Sequence, residues 1–179
     1  MKIVKEEILC AGFGGQGIMF MGKLLAETGL AAGYNVTWMP SYGAEVRGGT
    51  AYSMTIISDE EIASPVVVSP DILVAMNKPS FIKYEGSVKA GGVVIVNKSL
   101  VGDFPKRKGV RYINIPLTEM AVKLGDVRCA NVIAAGAVAK VSNMASIKNM
   151  TLALKAMFKG KDKLIPLNKE ALEKGYKNG

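Results

Sequence analysis

The chain has no histidine among its 179 residues. That absence removes Ser-His-Asp and Cys-His nucleophile systems, HExxH zinc sites and imidazole proton shuttles together. Only two cysteines are present, too few to supply the four thiolates of an ordinary iron–sulfur cluster. Sparse cysteine in a chain that needs no disulfide staples fits a reducing compartment. No apolar run approaches the roughly 20 residues that span a bilayer. The opening MKIVKEEILCAGFGG breaks its apolar stretch with glycines too early for a secretory leader. The expected location is the cytoplasm, away from membranes. Alone, the chain lacks the common equipment for hydrolysis or electron transfer.

What is present is ordinary for a globular protein: 49% hydrophobic and 21% charged residues, which argues against disorder. A chain this long buries about two-thirds of the surface its unfolded form exposes. One domain over residues 1–179 is the expectation. The formal charge of +8 suits anionic partners such as nucleotides, phosphorylated cofactors or acidic proteins. Nucleic acid is not an expected partner. Lys and Arg are spread along the chain, with no aromatic-interleaved cluster and no zinc-finger or helix-turn-helix signature.

Apolar periodicity orders the elements. Short buried strands are expected at Ile8–Ala11, 72–76 and 93–97, further strands over 35–40 and 110–115, and an alternating strand over 50–57. Helices are expected from Ile18 to about Ala32, from Pro79 to about Tyr84, from Thr118 to about Leu124 and over 131–141. Two more follow: one opened by Ser146, and a Lys-rich amphipathic tail from Asp162 with a possible break at Pro166. Strands alternating with helices argue for an α/β fold, a three-layer α/β/α sandwich around a mostly parallel, Rossmann-like sheet.

Two segments stand apart from this scaffold. Gly12-Phe13-Gly14-Gly15-Gln16-Gly17 satisfies GxGxxG between a strand and a helix. Glycines allow a tight turn and close backbone approach, and a helix N-terminus offers N–H groups to an anion. A dinucleotide fold also wants an acid at the end of the second strand, about 20 residues on, and the stretch from Tyr34 to Tyr42 holds none. The remaining readings are a phosphate-bearing ligand, a partner backbone approaching the loop, or glycines that only let helix and sheet pack closely. The second segment is Ser41-Tyr42-Gly43-Ala44-Glu45-Val46-Arg47-Gly48-Gly49. It follows the second strand and is expected at the same rim as the first loop, where ligands of open α/β sheets bind. Arg47 suits planar contacts to carboxylate or phosphate. A plain turn with a surface Glu45–Arg47 pair is the alternative.

GFGGQG, SYGAEVRGG, ISDEEIASPVV and PDILVAMN occur in that order. In this series the chain resembles the gamma subunit of 2-oxoacid:ferredoxin oxidoreductases, the pyruvate/ketoisovalerate oxidoreductase gamma family, with the 2-oxoglutarate type nearest. The resemblance runs from about Ile8 to Val141. It implies a multi-subunit, oxygen-sensitive complex of anaerobic metabolism that oxidatively decarboxylates a 2-oxoacid to an acyl-CoA and reduces ferredoxin. It implies alpha-, beta- and delta-type partner subunits. Thiamine diphosphate, magnesium and iron–sulfur clusters would sit on those subunits, and none of them on this chain. The gamma-type chain would be non-catalytic alone, structural, with a share of the coenzyme A approach. Gly14, Gly15, Gln16, Arg47, Gly48 and Gly49 are the candidate residues, facing either coenzyme A or a neighbouring subunit. The alternative is a free-standing nucleotide- or acyl-CoA-binding protein that uses the GFGGQG loop.

Smaller features read as packing first. Cys10 lies inside the first strand. Cys129 precedes a buried helix, whose N-terminus together with Arg128 favours a thiolate, but a small core residue is the simpler reading. Trp38 and Tyr42 have the shape to stack on an adenine, although a lone Trp in an apolar strand is more often core.

Overall fold

The computed structural model describes residues 4–42 and 50–179. Six strands form one sheet: β1 (Lys5–Phe13), β2 (Asn35–Tyr42), β3 (Thr50–Ser58), β4 (Ile72–Ala75), β5 (Val93–Asn97) and β6 (Arg111–Ile115), in the order β2-β3-β1-β4-β5-β6. β1, β4, β5 and β6 run parallel. β3 is antiparallel to both β1 and β2. β1 and β2 therefore point the same way, with β3 between them.

Seven helices cover the two faces: α1 (Ile18–Ala31), α2 (Lys78–Tyr84), α3 (Lys98–Val101), α4 (Leu117–Lys123), α5 (Ala130–Val141), α6 (Ile147–Met157) and α7 (Ile165–Asn178). Strand alternation decides which helix meets which side chain. Ile8, Cys10, Ile72, Val74 and Ile95 share one core with α1, α4, α5, α6 and α7. Leu9, Leu73, Val94 and Val96 share the other with Phe81 of α2 and Val101 of α3. The α1 and α2 connections thus leave adjacent strands for opposite faces. That divergence opens a crevice at the carboxyl ends of β1 and β4, the usual ligand position in open α/β sheets.

β3 shows the expected alternation, with Ala51, Ser53 and Thr55 buried. Thr55 Oγ1 donates to Gly22 O at 3.2 Å, and Trp38 Nε1 donates to Ser53 Oγ at 2.8 Å, so the indole N–H is satisfied at the sheet–helix seam, although Trp38 is 37% exposed and not the core residue expected. α5 is apolar on every side. Ten consecutive residues, Ala130 to Ala139, are buried, which places this helix at the centre of its layer. Pro166 lies in the first turn of α7, where its missing N–H costs nothing, so the tail helix starts there and runs unbroken.

Ser146 caps α6, accepting from Asn149 N at 3.2 Å. Ser146→Ala removes that acceptor and should cost about 1 kcal/mol. A thermal melt followed by circular dichroism reads this as a lowering of a few degrees.

Candidate functional site

The turn after β1 is short and tightly bonded. Gln16 N donates to Phe13 O at 3.1 Å. Gly15 and Gly17 adopt φ of 96° and 70°, a left-handed conformation that costs other residues about 1–2 kcal/mol. Gly17 opens α1, and no side chain caps that helix. Its first-turn N–H groups face the end of the sheet.

Side-chain amides brace this turn. Gln16 Oε1 accepts from Phe13 N at 2.7 Å and from Asn77 Nδ2 at 2.8 Å, and Gln16 Nε2 donates to Met76 O at 3.3 Å. Asn97 Nδ2 donates to Met76 O at 3.1 Å and to Thr118 Oγ1 at 2.9 Å. Asn77 Oδ1 in turn caps α2 through Ser80 N. One polar chain therefore ties together the segments that follow β1, β4, β5 and β6. Such networks hold a loop in one geometry because each buried group depends on its neighbours.

Three clefts surround the turn. The first, of about 140 Å³, is lined by Gly15, Gln16, Met76, Thr118 and Arg128 among others, and so sits across the carboxyl ends of all four parallel strands. A second, of about 230 Å³, adjoins it and shares Arg128, with Phe20, Asn131 and Phe158 in its walls. A third, also about 230 Å³, joins Gly14, Gly15 and Gly17 to Tyr42 and Ala51.

Arg128 stands between the first two. Its side chain is 80% exposed, and it pairs with Asp126 through Nε at 3.0 Å and Nη2 at 2.7 Å. Those hydrogen bonds hold the Asp126 carboxyl below its usual range. No bond among the described residues occupies Nη1, which leaves that part of the guanidinium for an anion. Burial, with Asp126 adding to it, pushes the Cys129 thiol up despite Arg128. Cys129 is a core residue, not a poised thiolate. Burial pushes the Cys10 thiol up to about 12. No group of three or more metal-ligating side chains occurs among the described residues.

The sequence-predicted residues divide three ways. Gly14 and Gly15 line the clefts. Gln16 lines one too, but its oxygen is already committed to Phe13 and Asn77, so it braces the turn. Arg47, Gly48 and Gly49 lie outside the described residues. The flanks of their segment are placed: Tyr42 pairs with Ala51 and Phe13 pairs with Thr50, so both flanks meet the glycine turn at one rim. Sequence reasoning missed Arg128, Asn131, Asn97 and Thr118 as members of this site. Their only signal was position at an element's end: Asn97 closes β5, Thr118 and Asn131 stand in the first turns of α4 and α5, and Arg128 lies just before α5.

The sheet order also separates this chain from a dinucleotide fold. There the second strand lies beside the first and ends in a ribose-binding acid. Here β3 intervenes, and β2 ends in Tyr42.

Comparison with known proteins gives a consistent picture. The family described as pyruvate ferredoxin/flavodoxin oxidoreductase matches residues 7–178. Ketoisovalerate oxidoreductase subunit VorA of Methanothermobacter marburgensis is 39% identical over 166 residues, which is 92% of this chain and 34% of the relative. The chain thus spans about a third of the VorA relatives it matches. 2-Oxoglutarate synthase subunit KorC of Methanocaldococcus jannaschii is 38% identical across 97% of this chain and 93% of its own. Among solved structures, the gamma subunit of the keto/oxoacid ferredoxin oxidoreductase of Geobacter sulfurreducens PCA matches with a TM-score of 0.84 at 27% identity, covering 97% of both chains. The 2-oxoglutarate:ferredoxin oxidoreductase of Magnetococcus marinus, with 2-oxoglutarate, coenzyme A and succinyl-CoA bound, matches with a TM-score of 0.87 at 25% identity. That match covers 97% of this chain and 30% of the other.

Proposed function

We propose that this chain, which belongs to the pyruvate ferredoxin/flavodoxin oxidoreductase family, is the gamma-type component of a 2-oxoacid:ferredoxin oxidoreductase, with 2-oxoglutarate the favoured substrate of the complex. The complex oxidatively decarboxylates the 2-oxoacid, transfers the acyl group to coenzyme A and passes two electrons to ferredoxin. The chain acts as one domain over residues 1–179 and carries no catalytic group. Thiamine diphosphate, magnesium and the iron–sulfur clusters belong to alpha-, beta- and delta-type subunits. Two buried thiols, one in β1 and one just before α5, support that division of labour. No helix among the described residues is long and apolar enough to cross a membrane; the reading places the complex in the cytoplasm.

The observation that carries this reading is the rim itself. Gly15 and the Arg128 guanidinium line one cleft, with Gly14 in the neighbouring one and the uncapped start of α1 beside both, a place suited to the phosphates of coenzyme A. Arg47, Gly48 and Gly49, which lie outside the described residues, are the further candidates for contact with the coenzyme or with the alpha-type subunit.

Two variants of the reconstituted complex test it. Arg128→Ala should raise the coenzyme A KM about ten-fold or more, the scale of one lost charge-assisted hydrogen bond, and leave the 2-oxoacid KM unchanged. Arg47→Ala should either raise the same KM or weaken retention of the chain in the complex. If neither variant moves either quantity, the rim does not serve the coenzyme.

A further inference from the structure

The last two helices carry their charge differently. α7 mixes signs: Lys169 pairs with Glu173 and Lys174 with Glu170, each four residues apart. α6 holds no carboxylate, and no Asp or Glu occurs from Val127 to Lys161. Residues 140–179 have nine lysines, no arginine and three carboxylates, net +6 of the chain's +8. Lys148, Leu152 and Lys155 lie at i, i+4 and i+7 on one exposed face of α6. Met150, Ala153 and Leu154 are buried on its other side. Lys159, Lys161 and Lys163 follow in the turn to α7, all exposed. Backbone bonds hold that turn: Lys161 N donates to Phe158 O at 2.7 Å, and Leu164 N donates to Lys161 O at 2.9 Å. None of these five lysines forms an ion pair among the described residues.

Solvation and helix stability do not account for the arrangement. The helix dipole favours cations near a C-terminus, which explains Lys155 and Lys159, but it disfavours Lys148 in the first turn. Leu152, 53% exposed, stands between the charges. Cations around an exposed apolar side chain match the rim-and-centre anatomy of a protein interface. The face is no membrane anchor, because the apolar side of α6 is already packed on α1 and α7. It is no single-strand reader, because Phe158, the one aromatic residue from Ile147 to Leu164, is packed on Phe20.

We infer that the exposed face of α6 and the turn after it dock an acidic protein surface that offers an apolar socket to Leu152. The occupant is the neighbouring subunit that corresponds to the remainder of VorA. VorA carries this region as about a third of a longer chain, whereas the match spans 93% of KorC. A component of the KorC kind has no tether to raise effective concentration, so its surface must supply the affinity. The inference rests on the gamma-type reading above.

Lys148→Glu/Lys155→Glu/Lys159→Glu tests the charge, and Leu152→Ala tests the centre. All four sites are exposed, so both variants should melt within a few degrees of the parent. Biolayer interferometry reads the binding of each chain to the other subunits of the complex, purified without it, over about 0.05–0.5 M NaCl, a range across which exposed charges become screened. Parent binding should weaken steeply with salt. The triple variant should bind about ten-fold or more weakly at low salt and respond little to salt. Leu152→Ala should lose about ten-fold and keep the parent's salt response. Lys78→Glu/Lys106→Glu/Lys108→Glu makes the same change in net charge at exposed sites outside α6, and should bind as the parent does.

Parental binding by either α6 variant, or equal losses from the two triple variants, overturns the docking face and leaves the gamma-type reading standing. If the α6 triple variant binds the subunits normally but loses retention on phosphatidylserine vesicles or single-stranded DNA, the lysines serve another class of partner and the docking face falls. A parent chain that fails to bind the other subunits at any salt overturns both readings.

Discussion

Gly175→Ala is expected to destabilise the chain by about 3 kcal/mol, the upper end of the usual cost of overpacking. A Cβ at position 175 would stand 1.8 Å from Ile133 O and 2.7 Å from Ile133 C. The contact is reciprocal, since a Cβ at Gly136 would stand 2.1 Å from Leu172 O. α5 and α7 therefore meet backbone to backbone, and neither obstacle is a flexible side chain that could swing aside. Close approach brings fully buried Ile133 and Leu172 into the same core, each contributing roughly 1.5–3 kcal/mol by burial. A methyl at 175 must push the helices apart and loosen those contacts. For a domain of this size the melting temperature should fall by about 6–12 °C. Lys174→Ala, on the exposed side of the same helix, should change stability by less than about 0.5 kcal/mol. A Gly175→Ala melt indistinguishable from that of Lys174→Ala would mean that the helices do not cross so closely. The consequence reaches the rim, because α5 carries Asn131 and follows directly from Arg128. Moving α7, which carries Asn168, moves a wall of the larger of the two clefts that share Arg128.

Much of this architecture was legible because short-range chemistry dictates it. The glycines after β1, the apolar run into α1, the Asn77 and Ser146 caps and the alternation of β3 each act within a few residues. Strand direction was less legible on the β2–β3 side. An alternating strand satisfies the same pattern whether its neighbour runs parallel or antiparallel, so pairing had to come from the fold. The candidate site was legible by half. GxGxxG advertised the turn; the second loop lies outside the described residues, and only its flanks Tyr42 and Thr50 are placed, on strands that end beside the glycine turn. Its partner groups were hidden by distance along the chain. Asn131 meets Gly17 across 114 positions, and nothing local distinguishes it from any other Asn near a helix start. Arg128 drew notice only as a neighbour of Cys129, whereas it stands where two clefts join. Gln16, a polar residue in a glycine loop that suggests ligand contact, lines a cleft but also stitches strand ends together, a role its sequence position did not reveal.

Gln16→Glu separates bracing from binding at that position. The substitution keeps shape and keeps an acceptor for Phe13 N and Asn77 Nδ2, now as a charged and stronger one. It replaces the donor to Met76 O with a carboxylate oxygen that opposes that carbonyl, a repulsion the side chain can relieve by turning toward the cleft while Asn97 Nδ2 still serves the carbonyl. The fold should therefore survive, with a melting temperature within a few degrees of the parent. Binding should not survive, because a carboxylate would line the cleft that also holds Gly15 and Arg128. It would repel incoming phosphate groups and draw Arg128 toward itself. In a partly desolvated cleft a like charge at contact distance costs several kcal/mol, so the coenzyme A KM of the complex should rise by about 100-fold or more. Salt should not rescue it at short range, although it screens exposed pairs. Gln16→Ala should behave in the reverse sense. It leaves the buried Phe13 N–H and the Asn77 amide without their acceptor, at about 1–3 kcal/mol for each unsatisfied group, and it places no charge in the cleft. Its melting temperature should drop more than that of Gln16→Glu, while its coenzyme A KM rises less. Parallel melts and initial-rate kinetics on the two variants resolve the matter. If Gln16→Glu binds the coenzyme as the parent does, no anion enters this cleft, and the glycine turn has only a structural role.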